Sequence, residues 1–370
     1  MRVLFVYYND GFSTKEFGGL QVSKRNKYFL EKVFGVNNVI DFPISGYKNK
    51  ALQLFFSIFG FSNGVKFSII SDFKKIIRKV EFDYLFLDSS KFGVLLNYSN
   101  FIPNRIVFFH NIEINFIKLS INNNPFKKVF SKSIVYAVRK NEKNSIIQAT
   151  SIITLNRRDS DQIALNYYIN RVADMLLPIT FKDNFNFSEM NKVKQDIDML
   201  FIGSDFYGNT EGLFWFIREC LPYIDGSLFV IGNGMEKYQD QSTKKVKFIG
   251  YVKDIDAFYY RAKLIVLPII SGSGMKTKTC EALMYGKYIF GSQEAFEGYE
   301  ITEFSEVGGL CETRDDYIIQ INDFLIKRKN YYSENNRLIF NKKYNTINIL
   351  DGFKNYIHQL SKEGFLQNEK

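Results

Sequence analysis

Short β-rich apolar runs separated by stretches of helical spacing recur along the whole chain, and this alternation limits the fold more than any other feature. Strands are expected at residues 2–8, Val39–Ile44, 83–87, 106–110 and 151–155, with a helix over 20–34 after a loop carrying Gly18 and Gly19. Between residues 177 and 195 the period is lost and turn formers gather, so this stretch reads as a connection. The series then restarts. Strands are expected at Ile197–Ile202, Leu228–Ile231, 246–249, 264–268 and 288–290, and helices at 212–221, 254–261 and 277–285. A chain of 370 residues is more than one core usually fills. We therefore expect an α/β protein with two open parallel sheets: residues 1–177, a linker at 178–195, and residues 196–348. A last helix within 349–370 is expected to pack back on the first domain. In such sheets ligands bind at the carboxyl ends of the strands, and the two edges are expected to face one cleft.

Charge divides the halves. Residues 1–180 hold 25 Lys and Arg against 13 Asp and Glu, and the remainder hold 24 against 26, so the whole excess behind the net +10 lies in the first half. Such a surface attracts phosphates, acidic polymers or anionic head groups. No helix-turn-helix, finger or RNA-recognition signature accompanies it, and nucleic acid is not the expected partner. With 46% hydrophobic residues and only 6 Pro, the chain is neither disordered nor collagen-like. No run approaches the roughly 18 apolar residues of a membrane-spanning helix. The opening MRVLFVYYND reads as a buried strand, not a signal peptide. Cys220, Cys280 and Cys311 are odd in number and widely spaced, which fits neither a disulfide framework nor a zinc site and suggests a cytoplasmic setting. Residues 51–80 begin apolar and aromatic and end with Lys74, Lys75, Arg78 and Lys79. Two readings stand: a helix lying in the head-group region of a membrane, or a core helix with a basic outer face.

The stretch 271–286, SGSGMKTKTCEALMYG, carries the most chemistry. Gly272 and Gly274 allow a ligand to approach the backbone, and a helix begins within a few residues. Its first N–H groups and its dipole form an anion site, to which Lys276 and Lys278 add charge. Glu281, one turn further on, is placed to accept hydrogen bonds from a diol. Together these describe a receptor for a nucleotide carrying a sugar. The bland reading of the same residues is a tight strand-to-helix turn with a Glu on a solvated face.

Several ordered pieces join this loop: FIGS with Asn209 in the next turn, LFVIGNG, VKFIGYVKD, a strand ending in Pro268, Glu281-Ala-Leu with Gly286, and Glu297-Gly298. In order and spacing, residues 197–300 resemble the nucleotide-sugar domain of retaining, family-4-type glycosyltransferases of the GT-B fold. The first half resembles them more loosely, through its opening strand, Gly18-Gly19 and His110. The resemblance implies two Rossmann-like sheets facing a cleft. It implies that Glu281 holds the ribose and that Gly272, Ser273, Gly274, Met275, Lys276, Thr277 and Lys278 lie on the diphosphate and sugar, the two lysines serving catalysis. Gly203, Ser204 and Asn209 would flank the phosphates, Gly232, Tyr251 and Val252 would bound the base, and Gly18 and Gly19 would cap the diphosphate. His110 matches the family's histidine beside the transferred sugar, and Asn111 and Glu113 follow it as candidates for orienting hydroxyls.

What the resemblance implies chemically is a retaining transfer from a UDP-, GDP- or dTDP-linked sugar to a glycan or lipid-linked acceptor in cell-surface polysaccharide assembly. The nucleotide sugar is a substrate, no cofactor is expected, and the leaving diphosphate is stabilised without a bound metal. Asp254-Ile-Asp256 has the spelling of a metal motif but opens a helix, where a capping role is expected. Two departures stand out: Ser273 occupies the place of a Glu common in the family, and SDFYGNTEG lacks a basic pair. They motivate a second reading, a catalytically silent GT-B-shaped partner of a glycosylation system. A sugar-nucleotide 2-epimerase is a third. His358, in the terminal helix, reads as a surface or packing residue.

Overall fold

The computed structural model describes residues 1–9, 18–122, 125–272 and 274–368. The chain forms two compact units, Met1–Pro178 with Leu350–Lys370, and Ile179–Ile349. The first unit contains β1 (Val3–Tyr8), α1 (Gly18–Phe34), β2 (Val39–Ile44), α2 (Lys50–Ile58), α3 (Phe67–Lys79), β3 (Tyr84–Leu87), β4 (Asn104–Phe109), α4 (Glu113–Asn122), α5 (Pro125–Gln148), β5 (Ser151–Thr154), α6 (Arg157–Tyr167) and β6 (Met175–Leu176). Its six strands are all parallel, in the order β2-β1-β3-β4-β5-β6. Every residue of β3 and β5 is buried, which is why neither sequence, YLFL nor SIIT, alternates apolar with charged residues. The edge strand β2 alternates and accommodates Pro43, which a central strand would not.

Residues 51–80 are two helices, not one segment. Gly60 and Gly64, both at positive φ, turn the chain between α2 and α3. Helix α3 buries Ile70, Phe73 and Ile77 and turns its basic residues outward, so there the core-helix reading holds. Helix α2 buries only Ser57. Helix α5, not anticipated from the sequence, carries Glu142 to the start of α4. Its carboxylate accepts from the amides of Glu113 (2.7 Å) and Ile114 (3.0 Å) and from the Tyr167 hydroxyl (2.6 Å). This caps α4 from outside the helix, and burial pushes the Glu142 carboxyl up to about 7.

The second unit contains α7 (Phe187–Lys192), β7 (Ile197–Ile202), α8 (Tyr207–Glu219), β8 (Leu228–Ile231), β9 (Val246–Gly250), α9 (Asp256–Arg261), β10 (Ala262–Leu267), α10 (Thr277–Met284), β11 (Tyr288–Gly291), α11 (Phe304–Val307), β12 (Gly308–Leu310), α12 (Arg314–Lys327) and α13 (Glu334–Lys343). Its sheet is also parallel, in the order β12-β11-β10-β7-β8-β9. Chain direction through this sheet reverses between β7 and β10, so the loops after those two strands diverge and leave a crevice at their carboxyl ends. The last helix, α14 (Thr346–Asn368), returns the chain to the first unit. There Phe353 stacks 5.4 Å from Phe29, and the Tyr84 and Ser361 hydroxyls are hydrogen-bonded at 2.6 Å.

Candidate active site

In the second unit the crevice between β7 and β10 is built on a close approach. A Cβ on Gly212 of α8 would fall 1.6 Å from the carbonyl oxygen of Pro268, which ends β10, so only glycine lets the two segments meet. The loop from Pro268 then runs to α10, with Gly274 at φ +63°. Lys276, the N-cap of α10, provides no side-chain acceptor; the Thr279 amide donates to its backbone carbonyl at 3.1 Å, and the amides of Thr277 and Lys278 lead the helix as donors suited to an anion. The Lys276 ammonium donates to the Gly274 carbonyl (2.8 Å) and to Glu294 (2.7 Å). The loop is fastened by the Tyr299 hydroxyl on the Lys276 carbonyl and the Thr279 hydroxyl on the Ala295 carbonyl, both at 2.6 Å.

Lys278 is only 8% exposed. Its ammonium donates to the Asn209 side chain and lies 5.2 Å from the centre of the Phe201 ring. Asn209 in turn donates to the Ser204 carbonyl at 2.9 Å, so one amide links the loop after β7 to the lysine of α10. Burial first, and the neighbouring Lys276 second, push the Lys278 ammonium down to about 7. Glu281, one turn along the same helix, accepts from the Tyr259 hydroxyl at 3.2 Å, and burial pushes its carboxyl up to about 7. Tyr259 is held by face-to-face stacking on Tyr285 at 4.3 Å, and Tyr285 donates to Asp256 at 2.5 Å. Asp254 caps α9, accepting from the amides of Asp256 (3.1 Å) and Ala257 (3.4 Å).

The structure thus brings Asn209, Ser204, Lys278, Lys276 and Glu281 together around one crevice. Gly203 and Gly232 join them through the backbone: a Cβ on Gly232, at φ +148°, would meet the Gly203 carbonyl oxygen at 2.0 Å. Tyr251, two-thirds exposed, and the half-buried Val252 follow β9, the strand beside β8. Gly272 packs against the Lys276 side chain, and Met275 is buried beneath the loop. Thr277 opens α10, and Ser273 lies outside the described residues.

In the first unit His110 follows β4 directly, with its side chain 14% exposed. Its Nε2 lies 3.3 Å from a carboxylate oxygen of the buried Asp88, which follows β3. Asp88 also accepts from Asn26 (2.6 Å) and Ser23, both on α1. The carboxylate therefore ties the helix that starts at Gly18-Gly19 to the imidazole. The residues just before that helix, 10–17, lie outside the described set. Glu113, a candidate for orienting hydroxyls, is buried and its carboxylate pairs with the Lys91 ammonium at 3.0 Å. Asn111 is half-buried between His110 and α4, and His358 is exposed on α14. Among the described residues no group of three or more His, Cys, Asp or Glu is placed to hold a metal ion, and Cys220, Cys280 and Cys311 are all buried.

Sequence reasoning missed Tyr259, Glu294 and Asp88. Each contacts a predicted site residue from a different element, and local spacing carries no sign of such contacts.

The family model described as Glycosyl transferases group 1 matches residues 196–325. A Klebsiella pneumoniae protein described as an uncharacterized 44.6 kDa protein in cps region is 20% identical over 247 residues, covering 62% of each chain. The match thus spans about three-fifths of that relative. Among solved structures, Anabaena HepE in complex with UDP and glucose superposes with a TM-score of 0.65 at 12% identity, over 97% of this chain and 99% of that one. The sucrose-phosphate synthase of Thermosynechococcus elongatus gives 0.71 at 12% identity, over 98% and 100%. At such identities the likeness is one of fold. Residues 196–325 of this chain thus resemble a glycosyl transferases group 1 domain, and the chain has the fold of the GT-B glycosyltransferases.

Proposed function

We propose that this protein transfers a sugar from a nucleotide diphosphate donor to a glycan or lipid-linked acceptor during assembly of a surface polysaccharide, with retention at the anomeric carbon and without a bound metal. The observation that carries this reading is the start of α10, where Lys276, Lys278 and Glu281 share one turn and a half of helix beside the crevice of the second sheet. Breaking the anomeric C–O bond develops negative charge on the departing diphosphate. Amides and ammonium groups fixed in advance around that position stabilise it without reorganising. Glu281 accepts from the ribose hydroxyls, and Asn209 holds Lys278 toward the phosphates. The acceptor oxygen bonds to the anomeric carbon on the face the diphosphate leaves, and the acceptor proton passes to the leaving phosphate oxygen. His110, held by Asp88, is assigned to the hydroxyls of the transferred sugar. The family match over this span, the relative from a cps region and the complex of HepE with UDP and glucose support the reading.

The test is thermal. UDP, GDP or dTDP should raise the melting temperature of the protein, and Glu281→Ala should abolish the rise while leaving the unliganded melting temperature near the wild-type value. No nucleotide-dependent rise in the wild type, or an unchanged rise in Glu281→Ala, removes the assignment. The anomeric configuration of the product, read by proton NMR, decides retention.

A further inference from the structure

Helix α2 leaves its outer side uncovered. Leu52, Phe55, Ile58 and Phe59 are 37%, 50%, 67% and 46% exposed, and Phe67, at the start of α3, is 54% exposed. The Phe55 and Phe59 rings, and those of Phe59 and Phe67, lie 5.3 Å apart, so these side chains form one patch. The opposite side of α2 is pinned by Ser57, whose hydroxyl donates to the Leu54 carbonyl and is hydrogen-bonded to the Ser133 hydroxyl of α5, both at 2.7 Å. Single exposed apolar residues are ordinary, but five neighbouring ones on two short segments are not.

The charge around the patch is mainly positive; the first acid after it in the chain is the exposed Asp72 of α3, paired with Lys75 at 3.3 Å. Residues 48–71 contain Lys48, Lys50 and Lys66, all exposed, and no Asp or Glu. Helix α5, which packs against α2, exposes Lys132, Arg139 and Lys143, while its single acid, Glu142, is buried. Lys140 lies against Gly60 in the turn after α2, where a Cβ would come 2.7 Å from its Cδ. Aromatic and aliphatic side chains rimmed by ammonium groups fit a surface that is apolar below and anionic above. In such a surface the rings enter the boundary of the acyl chains while the lysines reach the phosphates.

We propose that the α2 patch docks this protein on a bilayer bearing anionic lipids. No helix among the described residues is long and apolar enough to cross a membrane, so the contact is peripheral. The inference deepens the proposed function by locating the reaction where a lipid-linked acceptor would lie. It rests on that reading for its purpose only, because the experiment needs neither donor nor acceptor.

The full chain should co-sediment with vesicles of phosphatidylglycerol and phosphatidylcholine, but not with phosphatidylcholine alone, and high salt should weaken the binding. The double variants Phe55→Ser/Phe59→Ser and Lys50→Glu/Lys66→Glu should each lower the partition coefficient roughly tenfold or more. Both should keep the wild-type melting temperature and the wild-type response to UDP. Phe59→Trp should shift its emission to the blue on the anionic vesicles. Failure to sediment, or sedimentation unaffected by either double variant, overturns the proposal. So does a wild-type dimer that Phe55→Ser/Phe59→Ser converts to monomer, since a second copy would then cover the patch. Vesicle binding without any nucleotide response would leave this inference standing and sink the proposed function alone.

Discussion

The two units are built alike and charged differently. Each is a six-stranded parallel sheet with helices, one reversing between β1 and β3, the other between β7 and β10. The positive excess lies in the first 180 residues, while the proposed anion site lies in the other half, whose net charge is slightly negative. Count and placement are therefore separate matters. Exposed lysines in the first unit act through solvent and salt, which screen them. In the second unit two lysines are withheld from water, and one of them, Lys278, is held at a position where its charge is costly until an anion arrives. A few placed donors serve a leaving group better than a broad field does.

The largest effect that would sharpen this contrast is expected at Lys278. Lys278→Met should lower kcat by about 10³-fold, the scale of losing one strong donor to a developing charge. The pH dependence is specific as well. Lys278, lowered to about 7, is charged below that pH and neutral above it, so diphosphate affinity falls as pH rises through 7. Glu281, raised to about 7, is a carboxylate above that pH and protonated below it, so its grip on a diol is lost as pH falls. Nucleotide affinity measured by calorimetry should therefore be bell-shaped with its maximum near 7. Lys278→Met should flatten the alkaline limb and Glu281→Gln the acid limb. An affinity that changes in one direction only across that range breaks the account.

Next in size is Gly212. Its alanine variant forces a methyl into the Pro268 carbonyl, and unfolding in urea should show a loss of about 3 kcal/mol. A loss well under 1 kcal/mol would mean that α8 and the end of β10 are not held in contact. The smallest effect is expected in the first unit. Asp88→Asn should keep the nucleotide KM and lower kcat by about tenfold, as loss of a group that orients a functional histidine does. With only 2 His in the chain, NMR can follow the His110 ring nitrogens directly. Unchanged nitrogen shifts in Asp88→Asn would show that the carboxylate does not hold the ring.

How much could be read in advance varied with how local the cause was. Ile197–Ile202 and Leu228–Ile231 are strands with the boundaries their apolar runs suggest. Central parallel strands are buried on both faces and advertise themselves. The three-residue β12, Gly-Gly-Leu, has no strand propensity of its own and exists because β11 offers it a partner. Helix α5 was missed because its buried positions include Asn141, Glu142 and Ser145, polar residues satisfied by distant backbone. In the site, Lys276, Lys278 and Glu281 were legible because a glycine-bearing turn before a helix writes its chemistry in consecutive residues. Glu294, 18 residues beyond Lys276, was not.

By itself the sequence determined the alternation of buried strands and helices, and with it two parallel sheets, along with the glycine-bearing loop and the helix that follows it. These follow from the period of burial and from turn geometry, both set within a dozen residues. The tertiary structure alone decided the strand orders, the partners that shift Lys278 and Glu281, the link from Asp88 to His110, and which half of residues 51–80 meets solvent. Those depend on what a segment finds opposite it, and proximity between elements far apart in sequence arises only when the whole core closes.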